Sequence, residues 1–72
     1  MILFSSPTCF ACKKAKQFLN ENKIEFEEAN VLLDEWKKQV AEYSITTLPT
    51  LVKNDGSKIV GYSPRDYKDL IN

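Results

Sequence analysis

Between Ile2 and Phe26 the hydrophobic spacing changes period twice, and that change constrains the chain more than any other feature. Ile2 to Ser5 form a short run that reads as a strand, followed by a turn over Ser6, Pro7 and Thr8. From Phe10 the spacing is helical. Ala11, Ala15, Phe18 and Leu19 recur at four, three and one, with Lys13, Lys14, Lys16 and Gln17 on the wet face and an end near Asn20 to Lys23. Ile24 and Phe26, with Glu28 beyond them, alternate against Glu25 and Glu27 as a second strand. Two strands joined by such a crossover helix lie parallel, with a right-handed connection.

The second half repeats the alternation and then closes it. Leu33, Trp36, Val40 and Tyr43 recur at three, four and three, predicting a second helix that starts near Asn30 to Asp34. Thr50-Leu51-Val52 reads as a strand, Asn54-Asp55-Gly56-Ser57 as a turn, and Ile59-Val60 as the return strand of an antiparallel hairpin. Ser63 and Asp66 suggest a capping box, with Pro64 at the first helical position and Tyr67, Leu70 and Ile71 as the apolar stripe of a last helix. The expectation is an α/β fold of order β-α-β-α-β-β-α, a mixed four-stranded sheet with helices on both faces, in one domain spanning residues 1–72.

A chain of 72 residues supports one modest core, which favours a function carried at the surface by a short motif. Ten basic and ten acidic residues cancel and no basic run exceeds two lysines, so no nucleic-acid partner is expected. No apolar stretch is long enough for a membrane span, and the first residues lack the charged start and apolar core of a signal peptide. The expected setting is cytoplasmic.

Cys9 and Cys12 are the only cysteines, three positions apart. A bridge between them closes a loop of about four residues and contributes at most roughly 2 kcal/mol by chain entropy, so stapling is a poor reason for the spacing. Cys9 falls at the amino end of the first helix, where unpaired N–H groups stabilise an anion and lower a thiol pKa, which makes it the candidate nucleophile. Cys12, one turn on, faces the same way and suits attack on a mixed disulfide. Lys13 and Lys14 add positive potential as tuning or docking residues. Buried filler is one competing reading. A metal site is another, although zinc ordinarily takes four ligands and the chain has no histidine and no third cysteine, so a metal or iron-sulfur cluster needs a second subunit or an outside thiol. Phe10, beside the first thiol, reads as functional surface, whereas Phe4, Phe18, Phe26, Trp36 and Tyr43 read as packing. Leu48-Pro49, just before a strand, reads on its own as an ordinary trans proline at a strand start.

Cys9-Phe10-Ala11-Cys12 after a first strand, Pro49 in Thr47-Leu48-Pro49-Thr50 37 residues beyond Cys12, and then a hairpin and a last helix resemble the thioredoxin superfamily. Without an extra leading strand and helix, the chain looks like the glutaredoxin branch. The resemblance implies a thioredoxin-like fold and a dithiol-disulfide oxidoreductase, with Cys9 attacking, Cys12 resolving and Pro49 cis beside them. Phe10, Ala11, Thr47, the Leu48 backbone, Pro49, Gly61, Tyr62 and Ser63 would then meet the substrate. The middle pair is Phe10-Ala11 where glutaredoxins commonly carry Pro-Tyr, and Gly61-Tyr62-Ser63-Pro64 stands where their glutathione-binding Gly-Gly turn would be. That stretch is similar to the Gly-Phe-x-Pro of NrdH redoxins. It implies electrons from thioredoxin reductase with its NADPH and FAD, or from glutathione, and a disulfide-containing protein substrate such as ribonucleotide reductase. No tightly bound cofactor is implied, and a monomer is expected. A cluster-bridged glutaredoxin-like dimer is the alternative.

Overall fold

The computed structural model describes residues 1–71. Strands β1 (Ile2–Ser5), β2 (Glu27–Asn30), β3 (Thr50–Val52) and β4 (Lys58–Val60) form one sheet in the order β2-β1-β3-β4. The β1/β2 pair is parallel, and β1/β3 and β3/β4 are antiparallel. Helices α1 (Phe10–Glu21), α2 (Lys37–Glu42) and α3 (Pro64–Lys68) complete the β-α-β-α-β-β-α order expected from the sequence.

Strand alternation sorts the core onto two faces. Register places Leu3 opposite Leu51 and Leu51 opposite Ile59, a cross-strand row on which Ala15 and Leu19 of α1 and Tyr67 of α3 pack. The next residues along the strands point the other way: Phe4, Ala29 and Val52 meet Trp36, Val40 and Tyr43 from the α2 segment. Each fully buried aliphatic side chain in these rows contributes about 1.5–3 kcal/mol. Helices therefore lie on both faces because both faces of every central strand are apolar.

Two elements start later than the sequence suggests. The expected strand at Ile24 to Glu28 is paired only from Glu27, because β1 begins at Ile2 and Ile2 is the partner of Glu27. Ile24 and Phe26 still pack on the α1 face, as loop residues. The second helix, expected from Asn30 to Asp34, begins as a 3-10 turn at Asp34–Trp36 and becomes α-helical at Lys37. Asn30 is the cause: its Oδ1 accepts the Leu32 N–H at 2.9 Å and its carbonyl the Leu33 N–H at 3.0 Å, a local turn that competes with helix. Leu33 is consequently exposed and not part of the buried stripe.

The hairpin turn forms as read. Gly56 adopts φ 89°, and Asp55 Oδ1 accepts both the Ser57 hydroxyl at 2.7 Å and the Ser57 N–H at 2.9 Å, which holds the Asp55 carboxyl below its ordinary pKa. The capping box does not form. Ser63 is the N-cap residue of α3 and Pro64 stands at its start, but the Ser63 side chain makes no capping hydrogen bond. Tyr67 is buried and Leu70 half-buried, whereas Ile71, in a closing 3-10 turn (Asp69–Ile71), is exposed. Among the described residues no helix is long and apolar enough to cross a membrane.

Candidate active site

Every chain segment singled out for chemistry leaves the sheet at one end. β1 and β2 finish there as the Ser5–Asn30 pair, β3 begins there with Thr50 opposite Phe4, and β4 finishes there with Val60 opposite Thr50. The turn carrying Cys9, the Thr47-Leu48-Pro49 segment and the Gly61-Tyr62-Ser63 segment therefore share that end.

Cys9 is the N-cap of α1, in extended conformation (φ −88°, ψ 111°), and its N–H closes the preceding turn on the Ser6 carbonyl at 3.2 Å. Its Sγ accepts the Cys12 N–H at 3.2 Å, taking the place a serine or aspartate oxygen occupies in other helix caps. The two sulfurs are joined in a disulfide with the Cα atoms 5.2 Å apart. The two sides of the bond differ: Cys9 is partly exposed, while Cys12 is 0% exposed beneath the first helical turn. No acidic residue occupies the first turn of α1, and Lys13 and Lys14 are both exposed there. The helix end and two ammonium groups thus give this corner a positive potential with no local carboxylate on the helix to offset it.

Phe10 is 71% exposed, the most exposed large apolar side chain described, and Lys14 Nζ lies 5.1 Å from its ring centroid. Ala11 is half-buried. The Leu48–Pro49 bond is cis, as the family resemblance implied and as the sequence read alone did not suggest. Pro49 is buried; its carbonyl accepts the Gly61 N–H at 2.7 Å, tying the two segments to each other. Thr47, exposed, accepts the Thr50 hydroxyl on its carbonyl. Leu48 packs its side chain on the Phe4–Ala29–Val52 cluster, and among the described residues its N–H and C=O take no backbone hydrogen bond. Gly61 needs its glycine for conformation (φ 76°), since a Cβ there would meet nothing within 4 Å. Tyr62 is half-buried against Phe18 and Tyr67, with ring centroids at 6.5 and 5.0 Å.

On the outer face of α1, sequence reasoning named Phe10 and Lys14 but missed Gln17, Phe18 and Glu21 as site residues. Phe10, Lys14, Gln17 and Glu21 are spaced at four, three and four, and with Phe18 and Tyr62 the last three line a shallow cavity of about 260 Å3 next to Lys14. Their helical spacing from Phe10 was the available signal. A larger cleft of about 670 Å3, lined by Lys16, Lys23, Phe26 and neighbours, lies by the carboxyl end of α1, away from the cysteines. Among the described residues no group of three or more His, Cys, Asp or Glu side chains converges as a metal site.

A disulfide between an N-cap cysteine and its neighbour one turn on, at this end of this sheet, is the redox site of a dithiol-disulfide oxidoreductase of thioredoxin type. The glutaredoxin family model matches residues 1–57. An uncharacterized glutaredoxin-like 8.6 kDa protein in the rubredoxin operon of Clostridium pasteurianum is 31% identical over 70 residues, 96% of this chain and 93% of that one. The crystal structure of the thioredoxin-like protein BC3987 is similar with a TM-score of 0.82 at 27% identity, covering 96% of each chain. The glutaredoxin from Archaeoglobus fulgidus is similar with a TM-score of 0.80 at 28% identity, covering 99% of this chain and 84% of that one. The chain belongs to the glutaredoxin family.

Proposed function

We propose that the protein reduces disulfides in other proteins, with Cys9 as the attacking thiolate and Cys12 as the resolving thiol. The carrying observation is the asymmetry of the pair: Cys9 is partly exposed and its Sγ accepts a helix N–H, while Cys12 is closed off. In the reduced protein the Cys9 thiolate attacks one sulfur of a substrate disulfide. That S–S bond breaks, a mixed disulfide forms, and the departing thiolate takes a proton from water. Cys12, deprotonated, then attacks Cys9 Sγ and expels the second substrate thiolate. Two electrons have passed to the substrate, and the Cys9–Cys12 bond has formed. Preorganised N–H groups at the cap favour negative charge on sulfur, and the one-turn spacing makes resolution intramolecular.

An extended substrate segment would pair with the unengaged backbone of Leu48, beside Pro49, with Thr47 and Ala11 flanking it. Gly61-Tyr62-Ser63-Pro64, in place of a Gly-Gly turn, supports an NrdH-like electron route, from NADPH through thioredoxin reductase, with ribonucleotide reductase as a recipient. The test is a pair of coupled assays on a protein disulfide, one with NADPH and thioredoxin reductase, one with glutathione and its reductase. The first is expected to sustain turnover and the second to be much slower; the reverse order would make the protein a glutathione-dependent glutaredoxin. Cys9→Ser should abolish turnover, and Cys12→Ser should accumulate mixed disulfides. Unchanged turnover in the Cys9 variant would reject the assignment.

A further inference from the structure

We propose that the cavity on the outer face of α1 is a docking groove for the part of a substrate protein next to its disulfide, and that it selects an acidic residue close to the cysteine followed by an apolar one. This rests on the oxidoreductase reading above and adds the chemistry of the segment that the dithiol accepts.

Geometry and charge carry the proposal together. Lys14, Gln17 and Glu21 lie on the same face of α1 as Phe10, so the groove runs along the helix from Lys14, in the second turn, to Glu21, and its Lys14 end is the one nearer the cap that carries Cys9. Its floor is aromatic: Phe18 and Tyr62, their ring centroids 6.5 Å apart, are held from below by the buried Tyr67 ring, 5.7 Å from Phe18 and 5.0 Å from Tyr62. Tyr62 is in turn fixed to the Pro49 side of the site through its neighbour Gly61, whose N–H is bonded to Pro49. The near end carries Lys14. Its ammonium lies over the Phe10 ring, and among the described residues the ion pairs are Lys16–Glu28 and Lys37–Asp34, so no carboxylate neutralises Lys14. Glu21, at the far end, is hydrogen-bonded to the Gln17 amide at 2.9 Å. Two helical turns separate Lys14 from Glu21, roughly 10 Å. That length matches about three residues of extended chain.

The groove is therefore polar along its length, cationic near the dithiol and anionic at the far end, with an apolar floor between. A segment entering from Cys9 meets an ammonium first, a surface for a large apolar side chain second, and a carboxylate last. An acidic residue beside the substrate cysteine is attracted and a basic one repelled; moved three residues out, the preference inverts. Glutathione, with no large apolar side chain, has nothing to place on the Phe18–Tyr62 floor.

The experiment compares kcat/KM for a series of short disulfide-bridged peptides, with Glu, Gln or Lys beside one cysteine and Leu or Ser two residues on, reduced by the dithiol form at low and at high salt. Because an exposed ion pair is weakened by water and by salt, the Glu peptide is expected to exceed the Lys peptide by about two- to fivefold at low salt, narrowing at high salt. Lys14→Glu should reverse that order. Taking the ratio of two peptides with one enzyme cancels any change the substitution makes in Cys9 reactivity. Tyr62→Ser should erase the Leu-over-Ser preference and leave the Glu-over-Lys preference in place. A Glu-to-Lys ratio that is the same in the Lys14→Glu variant as in the parent, with all peptides reduced, overturns the groove and spares the oxidoreductase reading. Reduction of none of the peptides, nor of a protein disulfide, removes that reading and the groove with it.

Discussion

Tyr67 is the residue whose chemistry and position agree least. It is the largest fully buried side chain, and its hydroxyl finds no partner among the described residues. Its ring is well used, wedged edge-on against Phe18 and Tyr62 under the groove, so the position requires an aromatic and not a phenol. An orphaned buried hydroxyl costs about 1–3 kcal/mol in desolvation. Tyr67→Phe is accordingly expected to raise stability at pH 7 by about 1 kcal/mol, measured from the denaturant midpoint; a loss of that size would mean that the hydroxyl has a partner. The pH dependence follows from the same burial, which pushes the Tyr67 pKa from 10.0 up to about 12. Between those values the unfolded chain releases a proton that the folded chain keeps, so stability is constant below about pH 10 and falls as pH rises toward 12. In the phenylalanine variant that alkaline decline should be shallower. The sequence placed Tyr67 in the core from spacing alone, but spacing counts a tyrosine as apolar and is blind to where its hydroxyl ends.

At the scale of elements, both long connections leave their helices through a left-handed residue that is not glycine. Lys23 has φ 55° and Ser44 φ 53°, and each is followed by a residue whose N–H returns to the helix at 2.9 Å, Ile24 to Leu19 and Ile45 to Val40. These closures turn Ile24 and Ile45 back into the two cores. A side chain in this region costs about 1–2 kcal/mol, partly offset by the greater freedom of an unfolded glycine. Lys23→Gly and Ser44→Gly should each stabilise by up to about 1 kcal/mol, and Gly61→Ala should destabilise by about as much. Urea midpoints of the three variants decide it, and a destabilised Lys23→Gly would refute the conformational account. The same closures explain what was legible. Apolar period revealed every element, because each face of the sheet is covered and each stripe has a core to meet. It did not reveal boundaries set by polar side chains and by register: Asn30 delays α2, and the Ile2–Glu27 pairing delays β2. The cysteines were legible as a pair at a helix start and the polar side of the groove as helical spacing from Phe10, whereas its aromatic floor was not, because Phe18 and Tyr62 meet only in the folded chain.

For the whole molecule, the disulfide and the fold are coupled through a thermodynamic cycle. The loop between Cys9 and Cys12 is so short that bridging it restrains the unfolded chain by at most about 2 kcal/mol, a small part of what the two apolar layers supply. Reduction should therefore leave the protein folded, with a single cooperative transition. Two effects oppose each other in setting which form is the more stable. Chain restraint favours the folded oxidised protein, and stabilisation of a Cys9 thiolate by the α1 cap and its lysines favours the folded reduced one. Whatever difference results must reappear in the reduction potential of the folded dithiol relative to the unfolded one, about 30 mV for each 1.4 kcal/mol. For a protein that donates electrons, the oxidised form should be the more stable by up to about 2 kcal/mol, and folding should lower the potential by up to about 40 mV. Denaturant titrations of the oxidised and reduced forms, set beside equilibration of the native and the unfolded dithiol against a thiol redox buffer, give both sides of the cycle independently. A reduced form clearly more stable than the oxidised one would mean that the cap outweighs the restraint, and the protein would then be built to oxidise thiols instead of reducing disulfides.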